Sequence, residues 1–137
     1  MTRVCLDSNV IVAAFASRGL CADLLRLVLT DFHLILPQVV AGEVRRVLKE
    51  KLKLSAEALS AVEAVFERCE IIPEGTSPSP VNVRDPDDER VLADALDGEA
   101  QILVTGDADL LSVAGESPIP ILSPRAFMTL ARSGGAI

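Results

Sequence analysis

Five short apolar runs punctuate this chain, and stretches with helical spacing separate most of them. The runs are Arg3 to Asp7, Leu34 to Leu36, Ile71-Ile72, Ile102 to Thr105 and Ile119 to Leu122. Between them, Val10 to Ala16 and Leu20 to Leu29 read as helices. Pro37 can serve as the first residue of a helix running to about Leu54. Ser55 caps another, in which Leu59, Val62, Phe66 and Cys69 recur at helical spacing. Asp85-Pro86 opens a further helix to about Glu99, after a Pro- and Ser-rich loop from Pro73 to Arg84. Runs this short are buried strands, and strands alternating with helices imply a parallel sheet covered on both faces. The expected architecture is a three-layer α/β/α sandwich with a parallel, five-stranded sheet. Residues 1–137 are expected to form one domain, with a core over about 3–130 and a frayed tail from 131.

Composition removes several function classes. Half of the 137 residues are hydrophobic, which is incompatible with a disordered chain. The longest apolar run, Val10 to Ala16, is far too short to span a bilayer, so no membrane partner is expected. No basic segment followed by an apolar one opens the sequence, so no signal peptide is expected. Cys5, Cys21 and Cys69 are odd in number and set among apolar residues, as reduced thiols of a cytoplasmic protein would be. The single histidine, His33, cannot assemble a His/Cys zinc site and reads as structural.

The charge is unevenly distributed. Residues 85–109 carry nine acids and one base, whereas the rest of the chain has twelve bases against eleven acids. An acidic window of this kind either holds a divalent cation or is a solvated face. Position helps to choose. In an open parallel sheet, ligands gather beyond the carboxyl ends of the strands. Asp7 ends the first strand, and Asp107 and Asp109 follow the fourth. Asp88 lies in the first turn of the helix that leads into that fourth strand. At about 100° per residue it falls in line with the stripe of Val91, Leu92, Ala95 and Leu96, whereas Asp87 and Asp94 fall well to the side. Glu43 comes six residues after Pro37, about 9 Å along its helix, and flanks Val40, Val44 and Val47. Carboxylates that converge must share protons or a cation. An all-oxygen donor set favours Mg²⁺ or Mn²⁺, which lower the pKa of a bound water and bind phosphate oxygens. The chemistry that follows is metal-assisted phosphodiester hydrolysis.

Plainer roles exist for the same residues. Asp85-Pro86-Asp87-Asp88 is a good helix start, Asp7 could simply cap the helix after it, and Asp107 with Asp109 could form an ordinary turn. Glu43 could pair with Arg46. Arg45, Arg46, Lys49, Lys51 and Lys53 are five bases within nine residues. Arg45, Lys49 and Lys53 repeat every four, so they line one side of the helix, either as a solvated face or as a ridge that tracks RNA phosphates. Phe15, Phe32, Phe66 and Phe127 all read as core residues rather than as base-stacking platforms.

Four segments together resemble the PIN domain nucleases. Asp7-Ser-Asn-Val10 is similar to the family's opening Asp-x-Asn motif, with Ser where Thr is common. Glu43 within Ala-Gly-Glu-Val matches the helix glutamate, and Arg84 to Leu92 and Val104 to Leu111 match the third and fourth acidic motifs. The wording of the later motifs looks most like the PIN-family toxin components of toxin–antitoxin pairs (VapC-like). The resemblance implies that Asp7, Glu43, Asp88 and Asp107 form the catalytic acidic set. Asp7, Asp88 and Asp107 would hold Mg²⁺ or Mn²⁺, with Asp109 an additional ligand and Asn9 and Thr105 orienting the acids. It also implies RNA cleavage, a cognate antitoxin and a homodimer or higher oligomer.

Two other classes compete. A phosphatase or phosphotransfer domain would want a second Asp two residues after the first, where Asn9 stands, and an Asp after the third strand, where Ile72-Pro73 stands. A non-catalytic module would use the acidic edge to receive a basic segment of a partner.

Overall fold

A computed structural model of the chain describes residues 1–134. Five strands, β1 (Arg3–Leu6), β2 (His33–Pro37), β3 (Glu70–Ile72), β4 (Ile102–Val104) and β5 (Ile121–Leu122), form one sheet in the order β3-β2-β1-β4-β5. Every pair is parallel. Strand β1 is central, with Cys5 opposite Ile35 on one side and Leu103 on the other.

Alternation along the strands divides the core into two layers, because successive side chains point to opposite faces. Val4, Leu6, Leu34, Leu36, Ile102 and Val104 share one cluster, and Cys5, Ile35 and Leu103 share the other. The first layer is closed by α1 (Ser8–Ala16), α2 (Leu20–Asp31), α3 (Gln38–Arg46), α4 (Ala56–Glu67) and α7 (Pro124–Arg132). The second is closed by α5 (Pro86–Asp97) and the short α6 (Ala108–Leu111), with Val81 and Val83 from the loop before α5. The three-layer arrangement matches the expectation from the strand and helix alternation.

Several boundaries differ for identifiable reasons. Pro37 is not the first residue of α3 but the last of β2, paired in register with Ile72. Helix α3 does not run on to Leu54. It passes at Val47 into a π turn, Val47–Lys51, and Lys53 then adopts a left-handed φ of 51°. Strand β5 starts at Ile121 rather than Ile119, whose N–H is taken by Ser117 Oγ at 3.2 Å. Helix α7 has no counterpart in the sequence pattern described above. Ser123 caps it by accepting from Ala126 N at 3.1 Å, Pro124 opens it, and fully buried Phe127 meets Phe32 at 5.5 Å between centroids. The expected tail is therefore helical through Arg132, and its final residues, 135–137, lie outside the described residues.

The clearest departure concerns Asp94. The stripe argument placed it off the buried face, yet it is 0% exposed. Helix α5 is buried over Val91, Leu92, Ala93, Asp94 and Ala95 in succession, because the loop from β3 packs along its outer side. Asp94 Oδ1 accepts from Gly75 N at 3.1 Å and from Arg90 Nε at 3.0 Å. A buried carboxylate needs such partners. At the amino ends of the strands, Glu70 accepts from Arg3 and pairs with His33 at 2.9 Å, a structural use of the only histidine.

The three cysteines are free, and burial raises all three thiols, Cys69 to about 11. Among the described residues no helix is long and apolar enough to cross a membrane.

Candidate active site

The carboxyl ends of β1 and β4 lie side by side, so the residues that leave them meet. Asp7 leaves β1 as the N-cap of α1, its Oδ1 accepting from Ser8 N at 2.8 Å. Thr105 leaves β4 and donates its hydroxyl hydrogen to Asp7 Oδ2 at 2.7 Å. The same hydroxyl accepts from Asp107 N at 2.9 Å. Asn9 completes the join: its amide donates to Asp7 Oδ2 at 3.2 Å, and its carbonyl accepts from Gly106 N at 3.0 Å. Asp7 and Thr105 are 3% and 0% exposed, so the bond between them is internal, and Asn9 closes the network from the exposed side.

Helix starts bring in the remaining acids. Asp107 caps α6, accepting from Asp109 N at 2.8 Å, and Asp85 caps α5, accepting from Asp87 N at 2.8 Å. The plain and the functional readings of these residues are therefore compatible. In this topology a capping carboxylate at the start of a helix is also a carboxylate at the ligand-binding edge of the sheet. Glu43 reaches in from α3, where Oε2 accepts from Ser8 Oγ at 2.8 Å. Arg46 approaches its other oxygen only to 3.9 Å.

These groups border a cavity of about 820 Å³ lined by Asp7, Asn9, Glu43, Asp85, Asp88 and Asp107, among others. Asp88 is the least settled of them. One of its oxygens is buried without a hydrogen-bond partner. Burial, then the charges of Asp107, Asp7 and Asp85, push its carboxyl up to about 7, and contact with Asp107 favours the protonated form further. Asp7 is also raised, by burial first, although the bonds from Thr105 and Ser8 oppose the shift. For both acids burial leads and neighbouring carboxylates add to it, a situation that a nearby cation would relieve.

Not every expected residue falls where the sequence placed it. Asp7, Glu43, Asp88 and Asp107 converge on the cavity. Asp109 instead groups with Asp88 and Asp85, each offering an oxygen within 4.8 Å of the others. Asp85 was legible only as a helix cap, and nothing in the sequence distinguishes it from any other Asp-Pro start.

The basic ridge is corrected. Arg45 is bound to Glu63 of α4 at 2.8 and 2.9 Å and stacks over Phe66 at 4.8 Å. Lys53 lies past the π turn, which breaks the four-residue repeat. Arg46 lines the cavity, and Lys49 lies with Arg45 and Arg46 along a neighbouring groove.

Comparison with known proteins agrees with this fold. The family model for the PIN domain matches residues 3–109. A search of curated proteins gave no significant match. Among solved structures, VapBC2 from Rickettsia felis, bound to a DNA fragment from its promoter, is similar at TM-score 0.61 and 20% identity, over 88% of this chain and 97% of that one. DNA-bound VapBC from Salmonella typhimurium gives a TM-score of 0.64 at 16% identity, over 90% of this chain and 99% of that one. FitAcB from Neisseria gonorrhoeae gives 0.62 at 16% identity, over 89% and 98%. Identities this low establish a shared fold and no more.

Proposed function

This chain belongs to the PIN domain family, and on that premise we propose that it is a divalent-metal-dependent endoribonuclease, the toxin of a toxin–antitoxin pair. One observation carries the reading: Asp7, Glu43, Asp88 and Asp107, carried by four separate elements, line one cavity with further acids, and one of them, Asp88, keeps a buried oxygen without a partner.

The donor set suits the proposed ion. Its oxygens are carboxylate, with no imidazole or thiolate around the cavity, which favours Mg²⁺ or Mn²⁺ over zinc. A bound divalent ion would supply a water of lowered pKa and neutralise charge developing on the phosphate. Asp7, Asp88 and Asp107 are assigned to hold it, with Asp109 and Asp85 beside Asp88 as further ligands. Glu43, oriented by Ser8, is assigned to position the attacking water. Asn9 and Thr105 fix the two strand ends and keep Asp7 aimed at the cavity. Asn9 is spent on three hydrogen bonds, to Asp7, Thr105 and Gly106, which disfavours a phosphotransfer role for that position.

The toxin reading rests on the motif wording and on the VapBC complexes that share the fold. It brings a protein antitoxin and self-association as partners and a cytoplasmic site of action. The half-buried apolar residues of α1 and α2, among them Val12, Phe15 and Leu27, offer a surface for either partner.

The test is cleavage of a mixed RNA panel by the wild type and Asp7→Asn, with Mn²⁺, Mg²⁺ or EDTA. Cleavage that needs both the ion and Asp7 is expected. Cleavage that persists in EDTA, or in the variant, would remove the assignment. A protein that neither cuts nor binds Mn²⁺ would leave the acidic edge as a docking site for a basic segment.

A further inference from the structure

Beside the acidic cavity lies a second groove, of about 450 Å³, between α3, the π turn and α4. It is lined by Arg45, Arg46, Lys49, Leu59, Ser60 and Glu63, and Arg46 borders both openings. We infer that this groove carries the phosphate backbone of single-stranded RNA as it leaves the acidic site, with Arg46 and Lys49 as the phosphate contacts. The inference rests on the ribonuclease reading and extends it to a path for the substrate.

Charge supports the assignment. The groove's only acid, Glu63, is already neutralised by Arg45 in a two-bond ion pair. Arg46 has only the 3.9 Å approach to Glu43, and Lys49 has no ion pair among the described residues. Lys49 is therefore unpaired and Arg46 only loosely paired, beside a cavity whose charged lining is mostly acidic. In a chain of net charge −7 such a local reversal of sign serves a polyanion, because the overall field repels one. The apolar part of the groove comes from Leu59 and the side-chain stems, with the charged heads of Arg46 and Lys49 at its border.

Depth selects a single strand. A scissile phosphate must approach Asp7, which is 3% exposed, and then turn across Arg46 into the groove. A flexible strand can follow that turn, whereas the phosphates of a duplex are fixed in place by base pairing.

The experiment is fluorescence anisotropy of a labelled single-stranded RNA 12-mer of mixed sequence, titrated with protein in EDTA across a KCl series. Each single-strand phosphate contact contributes about 0.7 to the slope of log affinity against log salt. Arg46→Gln with Lys49→Gln is expected to flatten the wild-type slope by about 1.4. Lys53→Gln is expected to leave it unchanged. Glu63→Gln, which frees Arg45, is expected to tighten binding at low salt, an effect opposite to that of mere structural damage.

An unchanged slope in the double variant, or tighter binding of the matching duplex than of the single strand, overturns the path. So does a wild type that cuts RNA with Mn²⁺ but shows no salt-dependent binding in EDTA, and in that case the nuclease reading stands. Binding with the expected slopes but no cleavage with any ion would instead remove the nuclease reading and leave the groove as an RNA site.

Discussion

Ser8 is bonded to two acids at once: its backbone N–H donates to Asp7 Oδ1 and its hydroxyl to Glu43 Oε2, both at 2.8 Å. A carboxylate on α1's cap and one on α3 are thereby held in fixed relation by a single residue. Ser8→Ala keeps the backbone bond and frees Glu43. Mn²⁺ affinity, measured by calorimetry, is expected to fall about tenfold, the low end for loss of an orienting group, with little change in the urea midpoint. Unchanged affinity and unchanged cleavage would show that Glu43 needs no such guide.

Asp88 gives the metal-free protein a pH dependence of predictable sign. Its carboxyl stands at about 7 in the folded chain against an ordinary 3.8, so between those values the folded state holds a proton that the unfolded state has released. Stability is then highest at the acid end of that window and falls as pH rises toward 7. Asp7 shifts the same way and adds to the slope. Glu63 and Glu70, lowered by Arg45 and by Arg3 with His33, act oppositely, but only below their ordinary 4.5. Urea denaturation in EDTA from pH 5 to 8 is expected to show the decline, and Asp88→Asn is expected to flatten it. Stabilisation by Mn²⁺ is expected to grow across the same range, since the ion competes with protons. A midpoint that climbs with pH in EDTA would contradict this account.

Asp94 ties a loop to a helix. Removing it as Asp94→Ala strands Arg90 and the Gly75 N–H, at a cost of about 3 kcal/mol, the lower range for breaking a buried ion pair. The loop over residues 73–84 is expected to become the first site of limited proteolysis. Equal protease resistance in wild type and variant would mean that Val81 and Val83 alone hold the loop down.

Gly98 tests packing away from the acids. A Cβ there would stand 2.6 Å from Ile72 Cγ1 and 3.2 Å from Ile35 Cδ1. Gly98→Ala is expected to cost about 1–3 kcal/mol in urea melts while leaving Mn²⁺ affinity intact below the transition. A neutral variant would show that β3 and α5 separate easily.

Most of the fold was legible because its signals are local. Period-two burial in Val4-Cys5-Leu6 and Leu34-Ile35-Leu36 separates the two core layers, and Ser55 and Asp85 are ordinary helix caps. Asp7, Asp88 and Asp107 could be singled out because strand ends and helix starts share one edge of a parallel sheet. What stayed hidden depends on partners distant in sequence. Asp94 is buried by a loop that carries Gly75, nineteen residues upstream, and helical phase alone assigns it to solvent. Arg45 looked like one step of a basic ridge until Glu63 claimed it from another helix. The π turn left no compositional mark in Val47-Leu48-Lys49-Glu50-Lys51, and with it the four-residue repeat ended.

The central place of β1 has a consequence for synthesis. Asp7 leaves the ribosome well before its hydroxyl donor, Thr105, which lies 98 residues later. At roughly 5–20 residues per second, the interval between them is on the order of 5–20 s. During that time Asp7 has neither β4 beside it nor Asp107 across from it. On the nuclease reading, the nascent chain is harmless to the message that encodes it until the segment carrying β4 and Asp107 has been made.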